Sequence, residues 1–570
     1  MKIGLTYIKG SLPGFEDFGN LPTNFVKSNG FVDGTNGVKA SDELDGIIIP
    51  GGSILESNSI SNDLANEIKT MACDGKIVIG ICSGFQALAN QTDVGRKSPC
   101  PIIKKGLGLL DVNFSPLISN DRVEAKIADN TKFSTDSSFF IKNISSSDVI
   151  TGFHCHTYGN IEINNDNKDN NNYDNDYGDS DNVFPILYSS IKRMNYSDTK
   201  SNVLSGVSNE DGNVIGTMIH GILDENPLIV ENIFEYLGAD FNDINNIFIA
   251  NEKVKKRIKS ELAIDTGIDI KNIKYCNEFK KMLLSSLNNK NKENQRFSSS
   301  SKMNNKNKSL THDIDSVSYG TPPMLMIGGT SSDSGKTFIT TGIAGALTKR
   351  GLNVCVLKVG PDLRDTEPSL YLTKNKMEEY GSIKIGHLGW MDIENTLKRL
   401  KSSNYDFVIV EGVMSVFTGL LNGKIPYSGA EIAYSSNIPI LLVSGVSKGG
   451  IESAALDVVS SAKTLEKMGI DVNGIIFNKV YDMDIFNKVA DYVATNSRDS
   501  LSKDDILAVP KVKLDERSTT PEVEIKLEEF SKAALDTVEK YLDLEKIVKM
   551  SNIPEFKRYL TFDEIKRLFS

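Results

Sequence analysis

Gly80-Ile81-Cys82-Ser83-Gly84 places a thiol between two glycines, after the apolar run KIVIG and before FQALAN. A sharp strand-to-helix turn of this kind projects its central side chain, and the new helix N-terminus favours a thiolate. A cysteine nucleophile needs a base, and the first half of the chain offers His154, His156 and His220. His220, in IGTMIHGILDENP, directly follows an apolar run and so stands where a sheet presents it. A different chemistry is written at Gly329-Thr330-Ser331-Ser332-Asp333-Ser334-Gly335-Lys336-Thr337, between an apolar strand and the helix-like FITTGIAGALTKR. Small residues there let backbone N–H groups curl around phosphate, Lys336 reaches the β- and γ-phosphates, and Thr337 ligates Mg²⁺. Five residues rather than the usual four separate Gly329 from Gly335. Two further runs end in acids placed to hold Mg²⁺, VCVLKVGPD at Asp362 and FVIVE at Glu411.

These residues need rigid strand ends behind them. GIIIP (Gly46 to Pro50) and KIVIGI (Lys76 to Ile81) read as buried strands, with the amphipathic stretch Asp63 to Met71 between them. In the second half PMLMIGG, NVCVLKVG, DFVIVEGV, IPILLVSG and NGIIFNKV alternate with helix-length segments. The fold class this implies is α/β, two doubly wound, mostly parallel sheets with chemistry at the strands' carboxyl ends.

A length of 570 residues suits two to four domains. The formal charge of −11 disfavours binding to nucleic acid or to an anionic membrane. Six cysteines without a C-x-x-C pair favour neither a zinc cage nor a disulfide framework, and His154-Cys155-His156 lacks a fourth ligand. With no signal-peptide pattern at MKIGLTYIKG and no long apolar run, a cytoplasmic protein is expected. Asn160 to Asn182 carries seven acids and one Lys and reads as a disordered insert, residues 160–182. The expected domains are 1–238, a helical appendage 239–287 with Val254, Ile258 and Leu262 on one face, a polar linker 288–320, and 321–570 ending in helices.

GTSSDSGKT, KVGPD, VEGVM, SGAEIA, IPILLV and NGIIFNKV, in that order from about Pro323 to Pro510, resemble the ATP-binding domain of cobyrinic acid a,c-diamide synthase. That domain belongs to a dethiobiotin synthetase-like group whose long P-loop has five residues between its glycines. IIIPGG, GICSGFQAL, GFHCHTYG and GTMIHG resemble a class I glutamine amidotransferase of the cobyric acid synthase type, over about residues 1–238. The usual His-x-Glu is missing, since Gly221-Ile222 follows His220. Leu363-Arg364-Asp365, Met414-Ser415 and Thr418-Gly419 replace an aromatic-Ile-Asp, a Met-Gly and an Asp-Gly of the synthases.

The resemblance implies that Cys82 is the nucleophile and His220 its base, with Gly51, Gly52 and the Ser83 amide forming the oxyanion hole and Gln86 at the glutamine pocket. It implies that ATP lies on Gly329, Thr330, Ser332, Asp333, Ser334, Gly335, Lys336 and Thr337, and Mg²⁺ on Thr337, Asp362 and Glu411. Arg364 and Asp365 are expected at the acceptor. The implied activity is ATP-dependent, glutamine-hydrolysing conversion of a carboxylate to a carboxamide through an acyl phosphate, on a tetrapyrrole or corrinoid precursor. The synthases place the ATP domain first; here the order is inverted, and a homodimer is compatible. The alternatives are a ParA/MinD-like regulatory ATPase, or the same amidation on a cell-wall or other small carboxylic acid.

Overall fold

Apolar runs without polar alternation become parallel strands buried on both faces, and amphipathic stretches become the helices that cover them. The computed structural model describes residues 1–8, 10–52, 60–96, 98–129, 138–164, 182–239, 241–266, 320–446, 449–497, 501–513 and 527–568. Two units result. The first is built on Met1–Asp265 with Lys374–Met377 and Leu514–Glu529, the second on Thr266–Thr373, Glu378–Lys513 and Phe530–Ser570.

In the first unit the strands are β1 (Ile3–Thr6), β2 (Asn24–Val26), β3 (Gly46–Ile49), β4 (Ile77–Ile81), β5 (Ala89–Asp93), β6 (Ile103–Lys105) and β7 (Leu110–Ser115). They continue with β8 (Arg122–Ile127), β9 (Ile150–Phe153), β10 (Asn160–Ile163), β11 (Val183–Met194), β12 (Ser197–Asn209) and β13 (Val214–Thr217). Nine of them form a sheet in the order β2-β1-β3-β4-β13-β12-β11-β8-β9, and β10-β7-β5-β6 form a smaller one. From β2 to β13 the larger sheet is parallel; beyond β13 every pairing is antiparallel. Residues of β3 and β4 are all buried. The helix Asn62–Cys73 starts on a Ser61 side-chain cap and buries Leu64, Ile68 and Met71 at helical spacing.

Two sequence expectations are revised here, and a third concerns a helix read as a packing appendage. FQALAN is helical only to Leu88, and Ala89-Asn90 enter β5. The acid-rich segment begins inside β10, because Asn160 to Ile163 pair with Ser115 to Val112; residues 165–181 of the expected insert lie outside the described residues. The helix Phe241–Thr266, expected as an appendage, packs on the first unit through buried Val254 and Ile258, and Asn251 Nδ2 donates to Pro22 O at 2.9 Å. The side chain of Leu262, residues 267–287 and the linker before Gly320 lie outside the described residues.

In the second unit β14 (Met324–Gly329), β15 (Val354–Val359), β16 (Ser382–Ile383), β17 (Phe407–Glu411), β18 (Ile440–Gly445), β19 (Val472–Val480) and β20 (Ile506–Pro510) form one sheet. Its order is β16-β15-β17-β14-β18-β19-β20 and all its pairings are parallel. The five strands read from the sequence are all there; β16 and β20 are additional. The order reverses around β14, so the carboxyl ends of β14, β15 and β17 meet at a switch point. After the sheet come the helices Leu527–Tyr541, Leu544–Lys549 and Phe562–Arg567.

Candidate active sites

β4 stops at Ile81, and Cys82 turns at φ 52°, ψ −111° into the helix Ser83–Leu88. A positive φ on a non-glycine residue is strain, held here because the Cys82 N–H donates to Thr217 O on β13 (2.8 Å) and the Gln86 N–H returns to Cys82 O (3.0 Å). As β13 runs parallel to β4, the chain leaving it passes beside this elbow. There His220 and Phe153 exchange both backbone hydrogen bonds, at 2.9 and 3.0 Å. The imidazole lies between two rings, Phe15 edge-on at 5.0 Å and Phe153 stacked at 5.3 Å.

The acid that the sequence does not show beside His220 arrives from the start of the chain. Glu16 Oε1 takes the hydrogen bond of His220 Nδ1 at 2.5 Å, and Glu16 Oε2 that of the Gly221 N–H at 2.6 Å. Both side chains are almost wholly buried. Burial alone would lower the His220 pKa, but Cys82 and Glu16, each also hydrogen-bonded to the ring, outweigh it and push it up to about 10. The geometry therefore suits a thiolate–imidazolium pair steadied by a carboxylate.

Gly51 faces the same ring: a Cβ there would stand 2.6 Å from His220 Cε1, so only glycine lets the Gly51-Gly52 backbone come this close. Gln86 is buried, its Nε2 donating to Tyr158 O at 2.6 Å. Ser83 Oγ is buried without a hydrogen-bond partner. Opposite, Cys82 Sγ lies 3.8 Å from Cys155 O. Of the other histidines, His156 is bonded through Nδ1 to Leu117 O and His154 through Nδ1 to Ser119 Oγ, each at 3.1 Å. Burial, with His156 and His220 nearby, holds His154 well below its ordinary pKa.

In the second unit Gly329 ends β14 and Gly335, at φ 89°, opens the helix Lys336–Lys349. The loop is pinned from β19: Asn478 Nδ2 donates to Ser334 O (3.1 Å) and Lys479 Nζ to Asp333 O (2.7 Å). Thr330 Oγ1 meets Ser444 Oγ at 3.0 Å, Ser332 and Asp333 are exposed, and Ser334 is buried. Lys336 Nζ donates to Met414 O at 2.6 Å. Burial, with Lys358 adding to it, brings its pKa down to about 8.

Thr337 Oγ1 donates to Glu411 Oε1 at 2.7 Å, so the hydroxyl and the strand-end carboxylate do converge. Glu411 Oε2 is buried and unbonded, an orphan of the kind a cation would satisfy; hard oxygen donors suit Mg²⁺. Lys358, inside β15, joins this group. Its Nζ reaches Glu411 Oε1 at 2.9 Å and Asp365 Oδ2 at 2.6 Å, and those two acids outweigh burial to hold it charged. Asp362 precedes the short turn Leu363–Thr366 without a side-chain cap bond to it, and the turn carries half-buried Arg364 and Asp365. The acid brought to Glu411 through Lys358 is thus Asp365.

Glu16 and Lys358 are the residues that sequence reasoning missed. Each had a signal: an acid between Phe15 and Phe18 in GFEDFG, and a lysine inside an otherwise apolar strand.

Residues 15–228 match the CobB/CobQ-like glutamine amidotransferase domain, and residues 325–524 the CobQ/CobB/MinD/ParA nucleotide binding domain. A cobyrinate a,c-diamide synthase of Methanococcus maripaludis is 32% identical over 233 residues, 40% of this chain and 50% of the relative. Its namesake from Dehalococcoides mccartyi is 30% identical over 233 residues, 40% and 48% of the two chains. That from Caldanaerobacter subterraneus is 34% identical over 160 residues, 28% and 33%. The chain spans about half the length of the first two of these relatives. Among the described residues no helix is long and apolar enough to cross a membrane. The chain thus carries a CobB/CobQ-like glutamine amidotransferase domain followed by a CobQ/CobB/MinD/ParA nucleotide binding domain, and over 40% of its length it is similar to cobyrinate a,c-diamide synthases.

Proposed function

We propose that the chain is a glutamine-dependent, ATP-hydrolysing amide ligase that converts a carboxylate on a tetrapyrrole precursor to a carboxamide. The observation that carries this reading is the Cys82–His220–Glu16 array, in one chain with a P-loop whose threonine meets a strand-end acid. Cys82 attacks the glutamine amide carbon, and His220, held as imidazolium by Glu16, gives its proton to the departing ammonia. Gly51, Gly52 and the Ser83 amide receive the oxyanion, and Gln86 borders the glutamine pocket. Water then releases glutamate from the thioester.

In the second unit ATP lies along Gly329 to Thr337, and Lys336 leaves the Met414 carbonyl for the phosphates. Thr337 and Glu411, whose Oε2 is left unbonded, would hold Mg²⁺, with Asp362 as the further carboxylate that the sequence suggests, and the ion would supply charge neutralisation at the phosphates. Lys358 and Arg364 orient the acceptor carboxylate, which takes the γ-phosphoryl group; ADP leaves. Ammonia displaces phosphate from the acyl phosphate and the amide forms. The relatives' names support a corrinoid acceptor.

The test is amidation of a panel of carboxylates that includes cobyrinate, with glutamine or ammonia as nitrogen source. Cys82→Ala is expected to abolish the glutamine reaction and spare the ammonia reaction. Retention of glutaminase activity by Cys82→Ala would remove the nucleophile assignment.

A further inference from the structure

The antiparallel half of the first unit's large sheet has an exposed face that neither chemistry uses. Register fixes what stands on it. Asn202, Ser190, Glu124 and Thr151 are directly opposed across β12, β11, β8 and β9, forming one transverse row. Two residues along come Lys200, Lys192 and Arg122, Lys192 standing at a register shift between β11 and β12, while Phe153, opposite Arg122 on β9, is buried against His220. Between and around these residues lies a cavity of about 540 Å³, lined by all of them except Phe153 and His220.

The charges in this cavity are unusual for the chain. The protein is acidic overall, at −11, yet three cations line this cavity with Glu124, in the transverse row, as the acid among its lining residues. Arg122 is already engaged, bidentate to Glu225 at 2.5 and 2.6 Å. Lys192 and Lys200 have no ion pair or hydrogen bond among the described residues. Adjacent like charges on neighbouring strands repel and cost stability unless an anion sits over them. Beside them the Asn202 Nδ2 amide and the Thr151 hydroxyl can donate to the oxygens of such an anion, Asn202 being held by Ser190 Oγ, which donates to its Oδ1 at 2.8 Å. The volume suits a small molecule.

We propose that this cavity binds a small polyanion, a molecule carrying two or more carboxylate or phosphate groups, with Lys192 and Lys200 as its principal charge partners. None of the residues lining the cavity is one assigned to glutamine or nucleotide chemistry, and the proposal does not depend on that assignment.

The test is calorimetric titration of the full chain at low salt, with pyrophosphate in one arm and citrate in the other. A Lys336→Ala background removes the P-loop's contribution. At least one arm is expected to bind with a Kd below about 1 mM, weakening as salt is raised. The double variant Lys192→Glu/Lys200→Glu is expected to weaken that binding by at least about tenfold, and Lys192→Gln/Lys200→Gln by less. Binding in the pyrophosphate arm alone assigns a phosphate-bearing molecule, in the citrate arm alone a polycarboxylate, and in both a site reading charge. Absence of binding in both arms overturns the proposal, as does binding unchanged by the charge reversal in a double variant whose circular dichroism matches the parent.

Discussion

Replacing Glu16 by Gln keeps the shape of the side chain and removes its charge. His220 is raised from 6.5 to about 10 against the pull of burial, a preference for imidazolium of roughly 5 kcal/mol. Cys82 and Glu16 together supply that preference, and the variant loses the part that comes from the Glu16 charge. A second loss follows from the geometry. One carboxylate oxygen accepts from His220 Nδ1 and the other from the Gly221 N–H, whereas the amide of Gln has only one accepting oxygen. Either flip sets an NH₂ against a buried donor, at a cost of about 1–3 kcal/mol. Together these predict a fall in glutaminase kcat/KM on the order of 10²- to 10³-fold, with ammonia-dependent synthesis unchanged. The pH profile carries the sign. A raised histidine pKa keeps the imidazolium in place below about 10 and loses it as pH rises through that value. In Glu16→Gln the alkaline limb of the glutaminase profile therefore moves to lower pH. If kcat/KM and the alkaline limb both stayed where they are in the parent, Glu16 would have no part in catalysis.

Lys336→Ala should remove ATP turnover with either nitrogen donor by about 10²-fold or more, glutaminase activity persisting; normal ATP turnover would put the nucleotide elsewhere. In the parent, kcat/KM for ATP should fall as pH rises through about 8, where the buried Lys336 loses its proton; a flat profile up to pH 9.5 would count against that. Lys358→Met strands the buried Glu411 carboxylate and should cost about 3–5 kcal/mol of stability, read as a lower melting temperature along with lost ATP turnover. Gly51→Ala drives a methyl into the His220 ring and should lower glutaminase kcat/KM by about 10²-fold while sparing ATP hydrolysis; parent-like glutaminase kinetics would show that the ring can yield.

The parts of the molecule legible in the sequence are the parts held within a few residues. Cys82 lies between its glycines, Lys336 and Thr337 between their strand and helix, and the continuous apolar runs could be little other than buried parallel strands. β11 and β12 were not legible. Only one of their faces is buried, serines and lysines fill the other, and Asn195-Tyr196 turns between them with both φ values positive, where an Asn-Gly pair is the usual sign. Glu16 was missed for a different reason: its partner stands 204 residues away, and a lone acid has no local period to betray it.

That separation also decides when the first unit can acquire its chemistry. The thiol, the imidazole and the carboxylate come from three stretches, and His220 follows β13, which lies between β4 and β12 in the sheet. During synthesis Glu16 and Cys82 emerge long before His220, so the growing chain carries a dormant thiol while most of the domain is being made. Loop closure across some two hundred residues comes late in folding. On the proposed reading, reactivity toward glutamine therefore requires the completed sheet.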